Sequence, residues 1–180
     1  MNLVERIRRF FHRLFGIQEK SAKQETTHEI QFPNAEFLPK VVEMLNEGHT
    51  VTLRLRGFSM RPFLEDNRDK ALLRKPTEAK VGDPVLAEIA PKHFVLHRIV
   101  KIDGDAVTLL GDGNLSCEHC QLENIVGAVK SFYRKERNKL DRTDGWKWRT
   151  YSWIWMHLRP VRRYLLAAYR RIWIPLFGAM

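Results

Sequence analysis

Cysteine is scarce in this chain, and long apolar runs are missing from it. The two cysteines, Cys117 and Cys120, are too few for a framework of disulfides in a chain of 180 residues. No stretch reaches the ~18–20 uninterrupted apolar residues that span a bilayer. Residues 1–16 have neither the apolar core nor the small-residue cleavage site of a signal peptide. We therefore expect a cytoplasmic protein without a spanning helix.

Acidic residues are missing from the C-terminal stretch, residues 145–180, which contains seven lysines and arginines and all five tryptophans. Residues 1–16 add four arginines against one glutamate, so the two ends carry the whole formal net charge of +10. Interleaved Trp, Tyr and Arg side chains are typical of the bilayer interface. Single-stranded nucleic acid is bound by a similar mixture. The helical spacing of the apolar residues favours an anionic membrane surface over nucleic acid as the partner.

Periodicity and composition divide the chain into four regions. Residues 1–16 predict a basic amphipathic helix, 17–34 a polar linker, 35–135 a folded domain, and 136–180 a basic, Trp- and Tyr-rich helical tail. One arc of the predicted tail helix is apolar and the opposite arc is basic. The apolar arc comprises Val161, Tyr164, Leu165, Ala168 and Ile172, and the basic arc comprises Arg162, Arg163, Arg170 and Arg171. We expect peripheral attachment to the membrane through this helix. The alternative is a helix packed against the domain.

Residues 35–135 predict a mainly β domain. A helix is expected from Ala35 to Asn46, after which apolar and polar residues alternate. Strands are expected at 50–55, 70–74, 84–90, 93–103, 105–110 and 123–133, with turn signals between them. Short strands at this spacing indicate a coiled or barrel-like β architecture, here with flanking amphipathic helices.

Two residues in this domain could carry chemistry. Ser59 follows a strand and Gly57, at a junction that can expose a hydroxyl and place backbone N–H groups beside it. His97 lies in an otherwise apolar strand, and a neutral imidazole is the usual base for a serine nucleophile. Taken singly, each has a simpler interpretation, a helix-capping serine and a structural histidine.

Four short motifs place these two residues in a wider pattern. They are Gly-x-Ser-Met-x-Pro at 57–62, Gly-Asp-x-Val at 82–85, His-Arg-Ile at 97–99 and Gly-Asp-x-Asn at 111–114. In order and spacing the set resembles the signal-peptidase and LexA-like superfamily of serine peptidases. The histidine in the third motif looks like the branch of archaeal and endoplasmic-reticulum type signal peptidases, whereas other members use lysine.

The resemblance implies a coiled β catalytic fold and hydrolysis of a peptide bond through an acyl-enzyme. Ser59 would be the nucleophile and His97 its general base. Asp112 or Glu118 would hold the imidazole, and we favour Asp112 because it lies in the intact motif, whereas Glu118 stands where the family has aspartate. A lysine base is the alternative to His97. The candidates are Lys75, Lys80 and Lys92, none of them at the position of His97.

No metal or other cofactor is expected. Cys117-Glu118-His119-Cys120 contains metal-ligating residue types, but a second Cys-x-x-Cys pair, which would complete a structural zinc site, is missing. A reversible disulfide between the two cysteines stays open. Asp83 is interpreted as a turn carboxylate that accepts backbone N–H bonds.

These inferences predict a serine endopeptidase that processes leader-like or precursor segments at a membrane surface, with its peptide substrate bound in extended form as an added strand. Two departures from the family are expected, since neither a spanning anchor nor room for a helix-turn-helix domain precedes the Ser59 motif. The rival hypothesis is a non-catalytic or self-cleaving binding module of the same fold, which uses the basic aromatic tail to hold a partner or nucleic acid.

Overall fold

The computed structural model of the protein describes residues 34–135 and 140–179. The amphipathic helix expected in residues 1–16 lies outside this part of the chain, as does the linker up to residue 33. The described residues form a mainly β structure, an antiparallel sheet of eight strands with helices before and after it.

The elements follow one another in the order helix, sheet, helices. They are α1 (Asn34–Asn46), β1 (Val51–Arg54), β2 (Lys70–Arg74), β3 (Pro84–Ala90), β4 (His93–Asp103), β5 (Ala106–Leu110), β6 (Glu118–Gln121), β7 (Ile125–Tyr133), β8 (Leu140–Arg142), α2 (Trp146–His157), α3 (Arg162–Ala168) and α4 (Ile174–Phe177). A 3-10 turn, Arg159–Val161, joins α2 to α3, and a π turn, Tyr169–Trp173, joins α3 to α4.

The strands lie in the order β1-β2-β7-β3-β4-β5-β6, and β8 pairs with β7. β7 pairs with β3 near its start, with β2 further along and with β8 at its end, so it ties the sheet together. β4 pairs with β3 along its first part, whereas its pairing with β5 begins only at Arg98. One edge of residues 93–97 is therefore left open.

Most of the predicted elements are confirmed. The helix begins one residue before the expected one, three strands have the expected bounds, and the others differ by no more than two residues. β6 and β8 were not predicted. β6 reads EHCQ and β8 reads LDR, so neither has the apolar alternation that reveals a strand. Both are strands because their backbones pair with a neighbouring strand, β5 for β6 and β7 for β8.

Two apolar clusters fill the interior. The larger one joins the buried side of α1, with Leu38, Val41 and Leu45, to β1, β2, β7 and the segment after β1. The smaller one lies between β3, β4, β5 and the start of β7. Alternation along β4 connects the two, since Phe94 and Leu96 pack on the larger cluster and Val95 on the smaller.

The C-terminal region is not a separate tail but a layer packed on the sheet. Trp148 of α2 is 3% exposed and belongs to the larger cluster, with its ring 5.1 Å from that of Phe132 and 4.9 Å from that of Phe63. Trp155 and Tyr169 are buried as well. The predicted boundary after residue 135 therefore does not separate two structural units, because side chains beyond it complete the core.

The segment 161–173 does not pack on the domain through its predicted apolar arc, as the alternative of a packed helix required. Arg162, a member of the predicted basic arc, is buried with Leu166 and Tyr169 against the rest of the protein. The whole predicted apolar arc is exposed instead, with Tyr164 and Ile172 about three-fifths accessible, at 59% and 60%. Among the described residues, no helix combines the length and the apolar character required to cross a bilayer.

Candidate active site

Ser59 lies in a tight turn that follows β1. Gly57 has φ +88°, a backbone conformation that strains other residues, and its N–H donates a 2.7 Å bond to Asp66 Oδ1. Met60 and Leu64 are buried in the larger apolar cluster and hold the turn from beneath. Ser59 itself is half-buried. Ser59 thus belongs to a turn whose neighbours are anchored in the core.

His97 is placed by β4, opposite Val85 of β3, and it is 3% exposed. Its Nδ1 lies 2.5 Å from Glu118 Oε2. Burial lowers the pKa of His97 below its ordinary value of 6.5, and the Glu118 carboxylate opposes part of that shift. The imidazole is therefore neutral at pH 7. With Nδ1 donating to the carboxylate, Nε2 is left as the basic nitrogen.

Ser59, His97 and Glu118 line one cleft with a volume of about 270 Å³, together with Asn114. Ser59 Oγ makes no hydrogen bond to the imidazole or to any other described residue, so the direct bond expected of a nucleophile and its base is not formed in this structure. The two residues are nevertheless close, because a methyl group on Gly111 would lie 3.0 Å from His97 Nε2 and 2.5 Å from the carbonyl oxygen of Ser59. Catalytic hydrogen bonds are often long without substrate.

The Gly-Asp-x-Asn motif forms a loop pressed against the Ser59 turn. Gly113 N donates a 2.7 Å bond to the carbonyl oxygen of Ser59. A Cβ atom on Gly113 would lie 2.5 Å from the carbonyl oxygen of Phe58, closer than real Cβ atoms approach. Glycine is needed at this position because the backbones of the loop and of the Ser59 turn are in contact, in addition to any need of the loop's own turn.

Asp112 does not contact His97, contrary to the preferred assignment. It is fully buried and accepts two bonds from Arg98, at 2.9 and 2.7 Å, and one from Tyr151 at 2.9 Å. Because successive side chains of a strand point to opposite faces, Arg98 and His97 face away from each other and take different carboxylates. The structure assigns the contact with the imidazole to Glu118, the second candidate.

Glu118 reaches His97 because β6 extends the sheet beyond β5. Leu109 of β5 lies opposite Ile99 on one side and Glu118 on the other, which sets Glu118 near the middle of β4. This was hidden in the sequence, since β6 has no strand pattern. Sequence reasoning also missed Tyr151 and Trp155 as neighbours of the motif loop, and nothing in their local sequence revealed it.

The alternative bases and ligands lie elsewhere. Lys75, Lys80 and Lys92 are exposed, and no lysine is among the described residues that line the cleft. Asp83 accepts the backbone N–H of Lys80 at 3.0 Å, as expected of a turn carboxylate. Within residues 34–135 and 140–179, no group of three or more His, Cys, Asp and Glu side chains could hold a metal ion.

The two cysteines have different surroundings, and neither is in a disulfide. Cys120 packs against the smaller apolar cluster, and burial raises the pKa of its thiol. Cys117 precedes β6 and lies 3.9 Å from Arg159 Nη2.

Neither a protein-family model nor a curated protein sequence matches this chain.

Proposed function

We propose that the protein is a serine endopeptidase in which Ser59 is the nucleophile, His97 the general base and Glu118 the group that orients the base. The observation that carries the proposal is the buried His97, bonded to Glu118 through Nδ1 at 2.5 Å, in the cleft that Ser59 also lines. A neutral imidazole with one nitrogen held by a carboxylate is the arrangement that activates a serine.

In the proposed reaction, Ser59 Oγ forms a bond to the carbonyl carbon of the scissile peptide while its proton passes to His97 Nε2. The resulting imidazolium is stabilised by Glu118. Collapse of the tetrahedral intermediate breaks the carbon–nitrogen bond, and His97 returns the proton to the departing amine. Water then attacks the acyl carbon while His97 accepts its proton. Collapse of this second intermediate breaks the ester bond, His97 returns the proton to Ser59 Oγ, and the carboxylic acid product leaves.

The substrate proposed is a peptide segment bound in extended form. β1 lies at the edge of the sheet, and residues 93–97 of β4 are paired on one side only. Both line the cleft, through Leu55 and Arg56 after β1 and through Phe94, Val95 and Leu96. Unpaired strand edges bind extended peptides through backbone hydrogen bonds, and the apolar side chains between them favour apolar residues near the scissile bond.

We also propose that the exposed face of the C-terminal helices lies on an anionic membrane. Trp146 and Trp153 are 75% and 63% exposed, and the predicted apolar arc lies in the same layer. No acidic residue occurs from residue 145 onward, so the charge of this layer complements anionic lipid headgroups. Exposed aromatic and apolar side chains among arginines are typical of interfacial helices.

The peptidase is tested with a fluorophosphonate probe and with a library of fluorogenic peptides. We expect the wild type to be labelled and active, and Ser59→Ala and His97→Ala to be neither. Ser116→Ala and His119→Ala are matched controls, because both residues are exposed and lie outside the cleft lining. Labelling that survives in Ser59→Ala, or an inactive wild type, would refute the proposal and favour the binding module.

Membrane binding is tested by sedimentation with vesicles of phosphatidylcholine containing phosphatidylserine. Deleting the tail is unsuitable, because Trp148 and Trp155 belong to the packed interior. Trp153→Ser and Ile172→Ser should weaken binding, whereas Val81→Ser, at an exposed apolar residue outside the C-terminal layer, should not. Binding that is equal in all variants would contradict the membrane proposal. Preference for single-stranded nucleic acid would favour the rival partner.

A further inference from the structure

The motif loop Gly111–Asn114 is held by side chains of the C-terminal layer. Trp155 Nε1 donates to the carbonyl oxygen of Asp112 at 3.1 Å. Arg170 Nη2 donates to the carbonyl oxygen of Gly113 at 3.0 Å. Tyr151 reaches the side chain of Asp112 with its hydroxyl. Three side chains from α2 and the π turn thus converge on two consecutive residues of one loop.

Gly113 also contacts the active-site turn. Gly113 donates its N–H to the Ser59 carbonyl at 2.7 Å while its own carbonyl accepts from Arg170. The Gly113 carbonyl that Arg170 holds belongs to the next peptide group along the chain. The Asp112 carbonyl, which accepts from Trp155, and the Gly113 N–H, which donates to Ser59, belong to one peptide group, so a continuous path of hydrogen bonds runs from Trp155 to the backbone of the nucleophile. Bonds arranged in this way polarise one another and fix the position of the group between them.

The anchorage of Asp112 adds rigidity to this path. Asp112 and Arg98 are both 0% exposed, and Arg98 also donates to the Gly82 carbonyl and to Ser152 of α2. Burial, and then the charge of Asp112, raise the pKa of Tyr151 well above its ordinary value, so its hydroxyl stays protonated and keeps donating. Buried hydrogen bonds between Asp112, Arg98, Tyr151 and Ser152 therefore tie the loop to α2.

We propose that Arg170 and Trp155 are positioning residues, which set the distance between Ser59 and His97 by holding the motif loop in place. The proposal rests on the peptidase function proposed above. It makes the C-terminal layer a part of the catalytic apparatus, although none of the residues described in that layer lines the cleft. Because reaction rates depend steeply on such distances, loss of one support should lower turnover without weakening peptide binding.

The test compares Arg170→Gln with Arg171→Gln, its exposed neighbour in the same basic segment. We expect Arg170→Gln to lower kcat on the order of tenfold, with KM nearly unchanged, since a misplaced nucleophile affects the transition state and not the bound ground state. Arg170→Lys keeps a donor and should recover much of the loss. Trp155→Phe, which removes the indole N–H but keeps an aromatic ring, should behave like Arg170→Gln, whereas Arg171→Gln should behave like the wild type.

A second measurement separates this proposal from the peptidase activity itself. Amide hydrogen exchange at Gly113 reports its bond to Ser59, and it should be on the order of tenfold faster in Arg170→Gln and unchanged in Arg171→Gln. If exchange changes in this way but the wild type cleaves no peptide, the loop contact stands and the peptidase function fails. If the wild type is active and Arg170→Gln alters neither kcat nor Gly113 exchange, the positioning role is refuted.

Discussion

The contact between His97 and Glu118 gives the most specific prediction for the chemistry. Glu118→Gln removes the negative charge from the group that faces Nδ1 at 2.5 Å while keeping its size. Without the carboxylate, the ring loses the partner that fixes its tautomer and stabilises the imidazolium formed during the reaction. We expect kcat/KM to fall by up to about 10⁴, the loss that follows when the aspartate of a serine-protease triad is replaced by asparagine.

The pH profile should change in a direction that the structure specifies. Burial lowers the pKa of His97, and the charge and hydrogen bond of Glu118 raise it. Removing the charge leaves burial less opposed, so the pKa falls further and the acid limb of kcat/KM moves to lower pH. The maximum of kcat/KM is smaller in the variant, yet it persists to lower pH than in the wild type.

The assay is kcat/KM for one fluorogenic peptide across the acid limb, measured for the wild type, Glu118→Gln and Glu123→Gln. Glu123 is exposed in the turn that follows β6 and provides the matched control. A limb that moves upward in Glu118→Gln, or an equal effect in Glu123→Gln, would refute the assigned role. If Asp112→Asn moved the acid limb and Glu118→Gln did not, Asp112 would be the residue that orients His97.

Three further predictions concern stability and the motif loop. Asp112→Asn should lower the free energy of unfolding by about 3–5 kcal/mol in urea denaturation, because it leaves a buried arginine without its charged partner, and Asp105→Asn at an exposed site should have little effect. Gly113→Ala should abolish peptide cleavage, since the added Cβ would lie 2.5 Å from a carbonyl oxygen of the Ser59 turn. The control Gly104→Asn should be active, because nothing lies within 4 Å of a Cβ atom there, and a fully active Gly113→Ala would contradict the close approach. Because the pKa of His97 is lowered in the folded protein, the unfolded chain takes up a proton near pH 6.5, before the folded protein does. The stabilisation from neutral His97 is therefore present above this pH and is lost as pH falls through the lower folded pKa. His97→Gln should flatten this part of the plot of unfolding free energy against pH, and an unchanged slope would refute the prediction.

Local patterning predicted most of the sheet and both members of the candidate dyad. Alternation of apolar and polar residues is a property of each strand alone, so the strands at 70–74, 84–90 and 93–103 could be recognised without their partners. The Ser59 turn and the His97 strand were likewise visible, because Gly57 and the motifs around them are local features. The resemblance implied that these two residues lie together, and both line one cleft, although the hydrogen bond expected between them is not formed.

Tertiary structure decided which carboxylate faces the imidazole. The motifs place both Asp112 and Glu118 near His97. Which of the two contacts the imidazole depends on the face of β4 from which each carboxylate approaches. Arg98 occupies the face opposite His97 and binds Asp112, and pairing of β6 with β5 brings Glu118 to the other. Strand alternation predicts that Arg98 and His97 diverge, but not which loop or strand meets each of them.

Tertiary structure also decided the place of the C-terminal segment. Its sequence determines an amphipathic helix with distinct arcs, because helical periodicity is local. Which arc is buried depends on what the rest of the protein offers it. The motif loop offers the Asp112 carbonyl to Trp155, and the larger apolar cluster offers a place to Trp148. Arg162 turns inward and donates to the Trp155 carbonyl, and the apolar arc around Tyr164 and Ile172 is left exposed. Burial is a property of two surfaces together, and a sequence pattern describes only one of them.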